Sequence, residues 1–334
     1  FEQFVGAMGT AAYSIALVFF SRGQHAASHF ALLTSVMGLE MLAATLRHET
    51  RRQAPMVPAR VRAHMLDAPV PRSVQGKLER TTGVIGDVPV EVLTPHGWQV
   101  GGPTVLYLHG GGYVICTPGT HRDLTSRIAV ASRARLVVAD YRLAPEHPYP
   151  AALDDADAVW RALSTEPGPM AVAGDSAGGG LCLGLMLRLR EARQPLPLAG
   201  ALISPWVDLT LSQASIEAHV HDYLDKDALE RFAAHYLQGV DPRTPEVSPM
   251  LADLTGLPPL LVLTGDAEVF YDEDVRFAAA AESAGVDVTL HVGQGMVHAW
   301  PAFAAVLPQG REALEMTGAF LQDRLGESSG SQSA

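Results

Sequence analysis

Ser176 is set among glycines. The stretch Ala171-Val172-Ala173-Gly174-Asp175-Ser176-Ala177-Gly178-Gly179-Gly180 places one hydroxyl in a Gly-x-Ser-x-Gly turn directly after a short apolar run. Such a turn strains the serine backbone and lifts its Oγ off the end of a strand. Glycines on either side let neighbouring backbone approach with no Cβ in the way. The chemistry suited to a raised serine is nucleophilic attack on a carbonyl. It needs a base, an acid to orient the base, and amide donors for the oxyanion. A second glycine-rich loop, His109-Gly110-Gly111-Gly112-Tyr113, follows the apolar run Thr-Val-Leu-Tyr-Leu and can turn backbone N–H groups toward that oxyanion. Either loop alone also reads as an ordinary tight turn. Two of them, each at the carboxyl end of a strand, where open parallel sheets bind ligands, point to one site.

The elements that position these loops alternate along the chain. Apolar runs at 88–93, 104–108, 136–141, 169–173, 199–204, 260–264 and 286–292 predict strands. Helical patterns fall at 151–163, 181–187, 272–284 and 311–325. This alternation predicts an α/β chain with a mostly parallel sheet covered by helices on both faces. A chain of 334 residues, 48% hydrophobic and 18% charged, is globular and can bury a large core. There is no internal repeat. Residues 213–249 interrupt the alternation with helical sequence of mixed polarity, as an insertion above the sheet would.

The bulk properties also exclude. A net charge of -12 disfavours nucleic acid and anionic membrane surfaces as partners. Cys116 and Cys182 lie in apolar surroundings and read as buried free thiols, which suits a reducing compartment and a cytoplasmic location. No Cys or His cluster has metal-ligand spacing, so no metal is expected. The apolar runs at 11–20 and 30–46 are bounded or broken by Arg22, His25 and Glu40. They fall short of the roughly 18 uncharged residues of a spanning helix, and read as two packed helices. A Pro- and Arg-rich linker at 51–71 and a Ser/Gly-rich, disordered tail at 326–334 complete the chain.

After a serine on such an elbow, the acid and then the histidine follow in chain order. Past Ser176 the histidines are His219, His221, His235, His291 and His298. The first three fall in the insertion, before any acid loop. His291 alternates with Leu290 and Val292 inside a strand. His298 sits on a loop leaving the last strand at the proper end, and is preferred. The acid should follow the strand at 260–264, where Asp266 and Glu268 both stand; Asp272 is a weaker rival that reads as a helix N-cap.

Five segments fall in order: HGGGY at 109–113, DYRLAPEHPYPAALDD at 140–155, GDSAGGG at 174–180, SPWVDLT at 204–210 and GMVHAW at 295–300. Together they resemble the hormone-sensitive lipase family of α/β-hydrolases, in its bacterial esterase branch, over about 76–325. The resemblance implies an α/β-hydrolase fold in which residues 1–75 and 213–249 contribute a helical cap. It implies a serine carboxylic-ester hydrolase that works through an acyl-enzyme, with no cofactor; the large apolar residues Phe19, Phe20, Phe30 and Met37 of the amino cap helices, closing over a pocket of limited depth, suggest short- and medium-chain esters. Ser176 would be the nucleophile, His298 the general base and acid, and the N–H groups of Gly111, Gly112 and Ala177 the oxyanion hole. His109 would brace its loop, residues 141–146 would shape the floor with Arg142 and Glu146 able to pair, and Asp175 would be scaffold. The family commonly carries Asp-Pro-Leu in the acid loop, whereas this chain has Gly265-Asp266-Ala267-Glu268-Val269-Phe270, with Glu268 at the aspartate's place. Glu268 is therefore the expected acid and Asp266 the alternative.

The same triad chemistry would also serve lactones, thioesters and amides. A non-catalytic ligand-binding receptor of this fold is the alternative from another class, but such relatives lose the histidine and His298 is present. A small-molecule ester is the expected partner, with no nucleic acid and no stable membrane insertion; a homodimer contact through the amino helices is left open.

Overall fold

Strands that are apolar on both faces belong inside a parallel sheet covered by helices. In the computed structural model, which describes residues 58, 61–62, 65–218 and 222–327, every residue of Thr104–Leu108 (β3) is buried. The expected amino helices, His219, His221 and residues 328–334 lie outside the described residues. β3 is preceded by the hairpin Leu78–Ile85 (β1) and Val88–Pro95 (β2), which turns at Gly86 and Asp87 with φ of 60° and 64°. Arg135–Ala139 (β4), Met170–Asp175 (β5), Gly200–Ile203 (β6), Leu260–Gly265 (β7) and Val288–Gly293 (β8) complete an eight-stranded sheet in the order β1-β2-β4-β3-β5-β6-β7-β8. β1 and β2 run antiparallel to their neighbours; β3 to β8 are parallel.

Helices bury the two faces separately. Arg122–Ser132 (α1) and Pro308–Glu327 (α6) cover one, packing Leu124, Ile128, Leu314 and Leu321 against Val105, Leu136 and Leu263. Ala151–Leu163 (α2), Ala177–Glu191 (α3) and Tyr271–Ser283 (α5) cover the other, with Leu153, Leu183 and Phe277 against Leu106, Val172 and Val262. Lys226–Leu237 (α4) joins this second cluster through Leu229, Phe232 and Leu237. It starts where the Asp225 carboxylate accepts the Ala228 N–H at 2.8 Å, a side-chain N-cap. α6 runs through Gly326 to Glu327, into the segment expected to be irregular. Among the described residues no helix is long and apolar enough to cross a membrane.

Because β3 and β5 to β8 are parallel, their carboxyl ends lie along one edge of the sheet. Leu108, Asp175, Ile203, Gly265 and Gly293 each lead into a loop there. The glycines around Ser176 serve close approach. A Cβ on Gly178 would collide with the Leu108 carbonyl, and one on Gly174 would stand 2.6 Å from the Gly178 carbonyl oxygen. α3 is thereby pressed onto the end of β3 as it leaves β5. Gly178→Ala should therefore lower stability by about 2 kcal/mol or more, since buried backbone cannot move aside as a side chain can; a urea midpoint equal to wild type would show that the approach is not needed.

Candidate active site

Ser176 joins β5 to α3 with φ 52° and ψ -125°, a left-handed conformation that only the surrounding bonds can impose on a serine. Its N–H donates to the Ile203 carbonyl at 2.8 Å, and its own carbonyl accepts from Trp206 at 2.9 Å and Gly180 at 3.2 Å. The elbow is thus fastened to the end of β6 from both sides. Tyr113, Cys116, Ser204 and Ala299 also have positive φ. Strain of this kind gathers at functional sites.

The loop after β3 is held by Asp175. This buried carboxylate accepts the Gly110 N–H at 3.0 Å and the Tyr107 hydroxyl at 2.7 Å, and lies 3.2 Å from His121 Nε2. Burial works against its charge, yet His121 and Tyr107 hold it down at about 2. The His121 imidazole is likewise opposed by burial, but Asp175 raises its pKa overall. The two form a buried ion pair behind the loop. His109 stacks on Tyr141 at 4.3 Å, and burial, then His121, drives its pKa down to about 3, so it stays neutral. The Tyr141 hydroxyl donates to the His109 carbonyl at 2.6 Å.

Gly111 and Gly112 adopt φ of 115° and 60°, and Phe232 of α4 covers Gly112 so closely that a Cβ there would meet its ring at 2.6 Å. Among the described residues no hydrogen bond takes up the N–H of Gly111, Gly112 or Ala177. The Ala177 N–H opens α3, where the first amides have no intrahelical partner and the helix dipole favours negative charge.

His298 and Glu268 come together on the far side. His298 Nδ1 faces Glu268 Oε1 at 3.5 Å, and both side chains are almost completely buried. Glu268 Oε2 accepts from the Ser204 hydroxyl at 2.8 Å and the Gly265 N–H at 2.7 Å. Ser204 Oγ in turn accepts the N–H of Ala299, the residue after His298, at 3.0 Å. Phe270 meets the imidazole edge-on at 4.9 Å and Tyr223 lies 5.8 Å away. Burial alone would depress the His298 pKa, but Glu268, with smaller contributions from Asp222 and Asp175, raises it overall. A buried imidazole with a carboxylate at one nitrogen and a raised affinity for protons is equipped to take a proton from a neighbour.

Asp266 occupies the same loop but turns to the Gly295 N–H. His291 stays on β8 and His235 on α4. Two expectations are corrected. Arg142 pairs with Asp155 at 2.7 Å rather than with Glu146, because α2 brings Asp155 under the Arg142 backbone as well. Glu146 instead meets Arg62 at 2.9 Å. Asp272 does not cap α5: it lies inside the first turn and accepts the Ser215 N–H at 2.8 Å. Both cysteines are buried free thiols. Ser204, Ser215 and Asp222 escaped the sequence reading. Only Ser204 carried a signal, its place at the end of a strand opposite the elbow.

The chain matches the family described by an α/β-hydrolase fold over residues 105–302. It is 45% identical over 231 residues to an acetyl-hydrolase of Streptomyces hygroscopicus, covering 68% of this chain and 77% of that protein. It is 36% identical to carboxylesterase NlhH of Mycobacterium tuberculosis, covering 76% and 85%. A crystal structure of an esterase from the bacterial hormone-sensitive lipase family superposes with a TM-score of 0.76 at 35% identity, covering 86% of this chain and 98% of that one.

Two substitutions test the scaffold. Asp175→Asn breaks a buried ion pair and should cost about 3 kcal/mol in denaturant unfolding near neutral pH. The charged Asp175 stabilises the fold above the ordinary carboxylate pKa and loses that contribution as pH falls toward 2, so the deficit should shrink in acid. Ser204→Ala leaves the Ala299 N–H and one Glu268 oxygen short of a partner and should cost about 1–3 kcal/mol. A deficit in Asp175→Asn that grows in acid would reject the ion pair.

Proposed function

The chain belongs to the α/β-hydrolase family, in its hormone-sensitive lipase-like esterase branch, and from that premise we propose how this carboxylic-ester hydrolase does its chemistry. Ser176 attacks the ester carbonyl while His298 takes its proton. Glu268 orients the imidazole and stabilises the imidazolium. The oxyanion settles against the N–H groups of Gly111, Gly112 and Ala177. His298 returns its proton to the departing alcohol, leaving an acyl-Ser176 ester. Water, deprotonated by His298, then releases the acid and restores the serine. Such amides commonly contribute about 3 kcal/mol each to the transition state.

The observation that carries this reading is the pairing of buried His298 with Glu268 on loops fastened through Ser204 to the strand that also fastens the Ser176 elbow. The 3.5 Å separation is one that a developing imidazolium would shorten. Phe232 seated on Gly112 supports assigning residues 213–249 to a cap. Tyr223 beside His298 and Phe232 over Gly112 put bulky rings next to these residues and support a preference for short and medium acyl chains. Two buried free thiols support a reducing, cytoplasmic setting.

Ser176→Ala should abolish hydrolysis of a soluble butyrate ester while keeping the wild-type unfolding midpoint. Full activity in that variant would favour a ligand-binding role or another nucleophile. Across a series of acyl lengths, with a lactone, a thioester and an amide alongside, butyrate should exceed long-chain emulsions. The reverse order would reject the short-chain preference.

The acid limb of kcat/KM tests the histidine. A base must be unprotonated, and the His298 pKa is raised, so activity should fall as pH drops through a midpoint above the ordinary value of about 6.5. Glu268→Gln should lower kcat by at least about a hundredfold and move that midpoint down, whereas Asp266→Asn should do neither. A crippled Asp266→Asn beside a near-normal Glu268→Gln would exchange their roles.

A further inference from the structure

The residue after Glu268 is gripped from both sides by the insertion at 213–249. The Val269 N–H donates to Asp222 Oδ2 at 2.9 Å, and the Val269 carbonyl accepts the Ser215 hydroxyl at 2.8 Å. The grip is itself fixed. Asp222 Oδ1 accepts the Tyr223 N–H at 2.7 Å, while Ser215 exchanges bonds with Asp272, donating its N–H at 2.8 Å and accepting the Asp272 N–H at 3.3 Å. Gln213 accepts from Arg276 of α5 at 2.7 Å. Ser215, Asp222 and Val269 are all buried, so the two bonds to Val269 are shielded from water.

Geometry gives the grip a consequence. The Val269 N–H belongs to the peptide that follows the Glu268 Cα, so its bond to Asp222 fixes the backbone from which the Glu268 side chain extends. Glutamate is one methylene longer than aspartate, and its carboxylate lands correctly only if that backbone stands at the right distance. We propose that Ser215 and Asp222 form a clamp through which the cap insertion sets the reach of Glu268 toward His298, making both of them positioning residues. The proposal rests on Glu268 and His298 being the working pair.

The clamp also brings charge. The ionisable groups acting on His298 are Glu268 on its own side of the sheet edge, Asp222 from the insertion and Asp175 from the end of β5. Asp222 faces His298 and Glu268; burial, less the attraction of His298, pushes its carboxyl up to about 6. Above that pH it adds a second negative charge beside the imidazolium.

Asp222→Asn and Ser215→Ala are compared with wild type in kcat, KM and the acid limb on a soluble butyrate ester, with unfolding midpoints as folding controls and Ser176→Ala and Glu268→Gln alongside. Both clamp variants should lose about tenfold or more in kcat with KM little changed, since small misplacements of a working group are costly. Asp222→Asn should also move the acid limb to lower pH, because it removes a charge that holds the proton on His298; Ser215→Ala should leave the limb in place. Folded clamp variants with wild-type kcat, beside a crippled Glu268→Gln, would overturn the clamp alone. Should Asp222→Asn fail to fold, kcat of Ser215→Ala decides. Undiminished activity in Ser176→Ala or Glu268→Gln would instead remove the underlying reading.

Discussion

Two separate loops are tied to one hydroxyl at the end of β6, and a third to the carbonyl just before it. Ser204 Oγ donates to Glu268 and accepts from the amide beside His298, while the preceding carbonyl, Ile203, holds the Ser176 N–H. Ser204 makes its two side-chain bonds from a left-handed backbone, φ 45°, with its own N–H bonded to the Leu263 carbonyl at 2.6 Å. The parallel sheet brings the strand ends within a few residues of one another; this hydroxyl converts proximity into fixed geometry. Preorganisation of that kind is what lets a buried site stabilise charge without rearranging as the charge appears.

Several acids are buried around the site, and their surroundings shift them in opposite directions. Glu273 and Asp274, in the first turn of α5, are pushed well above the carboxylate range, chiefly by burial, with Glu268 adding to it. Their burial disfavours the charged form, and Glu273 accepts the Val207 N–H at 2.9 Å. Asp175 sits at the other extreme, kept charged by His121. Acids with similar burial are thus shifted in opposite directions according to whether a cation lies against them. His298 draws its raised proton affinity from the charges that face it.

Much of the fold was legible because parallel strands leave a strong imprint. The continuous apolar runs at 104–108 and 260–264 and the helix at 151–163 sit where periodicity put them. β1 was missed because it is an edge strand whose middle residues are exposed, leaving no alternation to read. α1 was missed because its polar first turns mask the buried Leu124 and Ile128. At the site, glycine loops, His298 and Glu268 are local signals, each written into a few consecutive residues. Asp222 and Ser215 are not. Their meaning lies in contacts 47 and 54 residues away in the chain, which no spacing rule encodes. Arg142 shows the same limit: Glu146, four residues on, was expected to be its partner, and tertiary packing supplied Asp155 instead.

The central claim is that a covalent bond forms and breaks at one serine. Intact-mass and peptide mass spectrometry of the full chain, quenched in acid during turnover of an activated butyrate ester, tests it without reference to any variant's rate. The account requires a single butyryl group, located on Ser176 and lost on further incubation in buffer. Turnover that proceeds with no acylated species under any quench, or an acyl group on a different residue that is lost at the turnover rate, would contradict it.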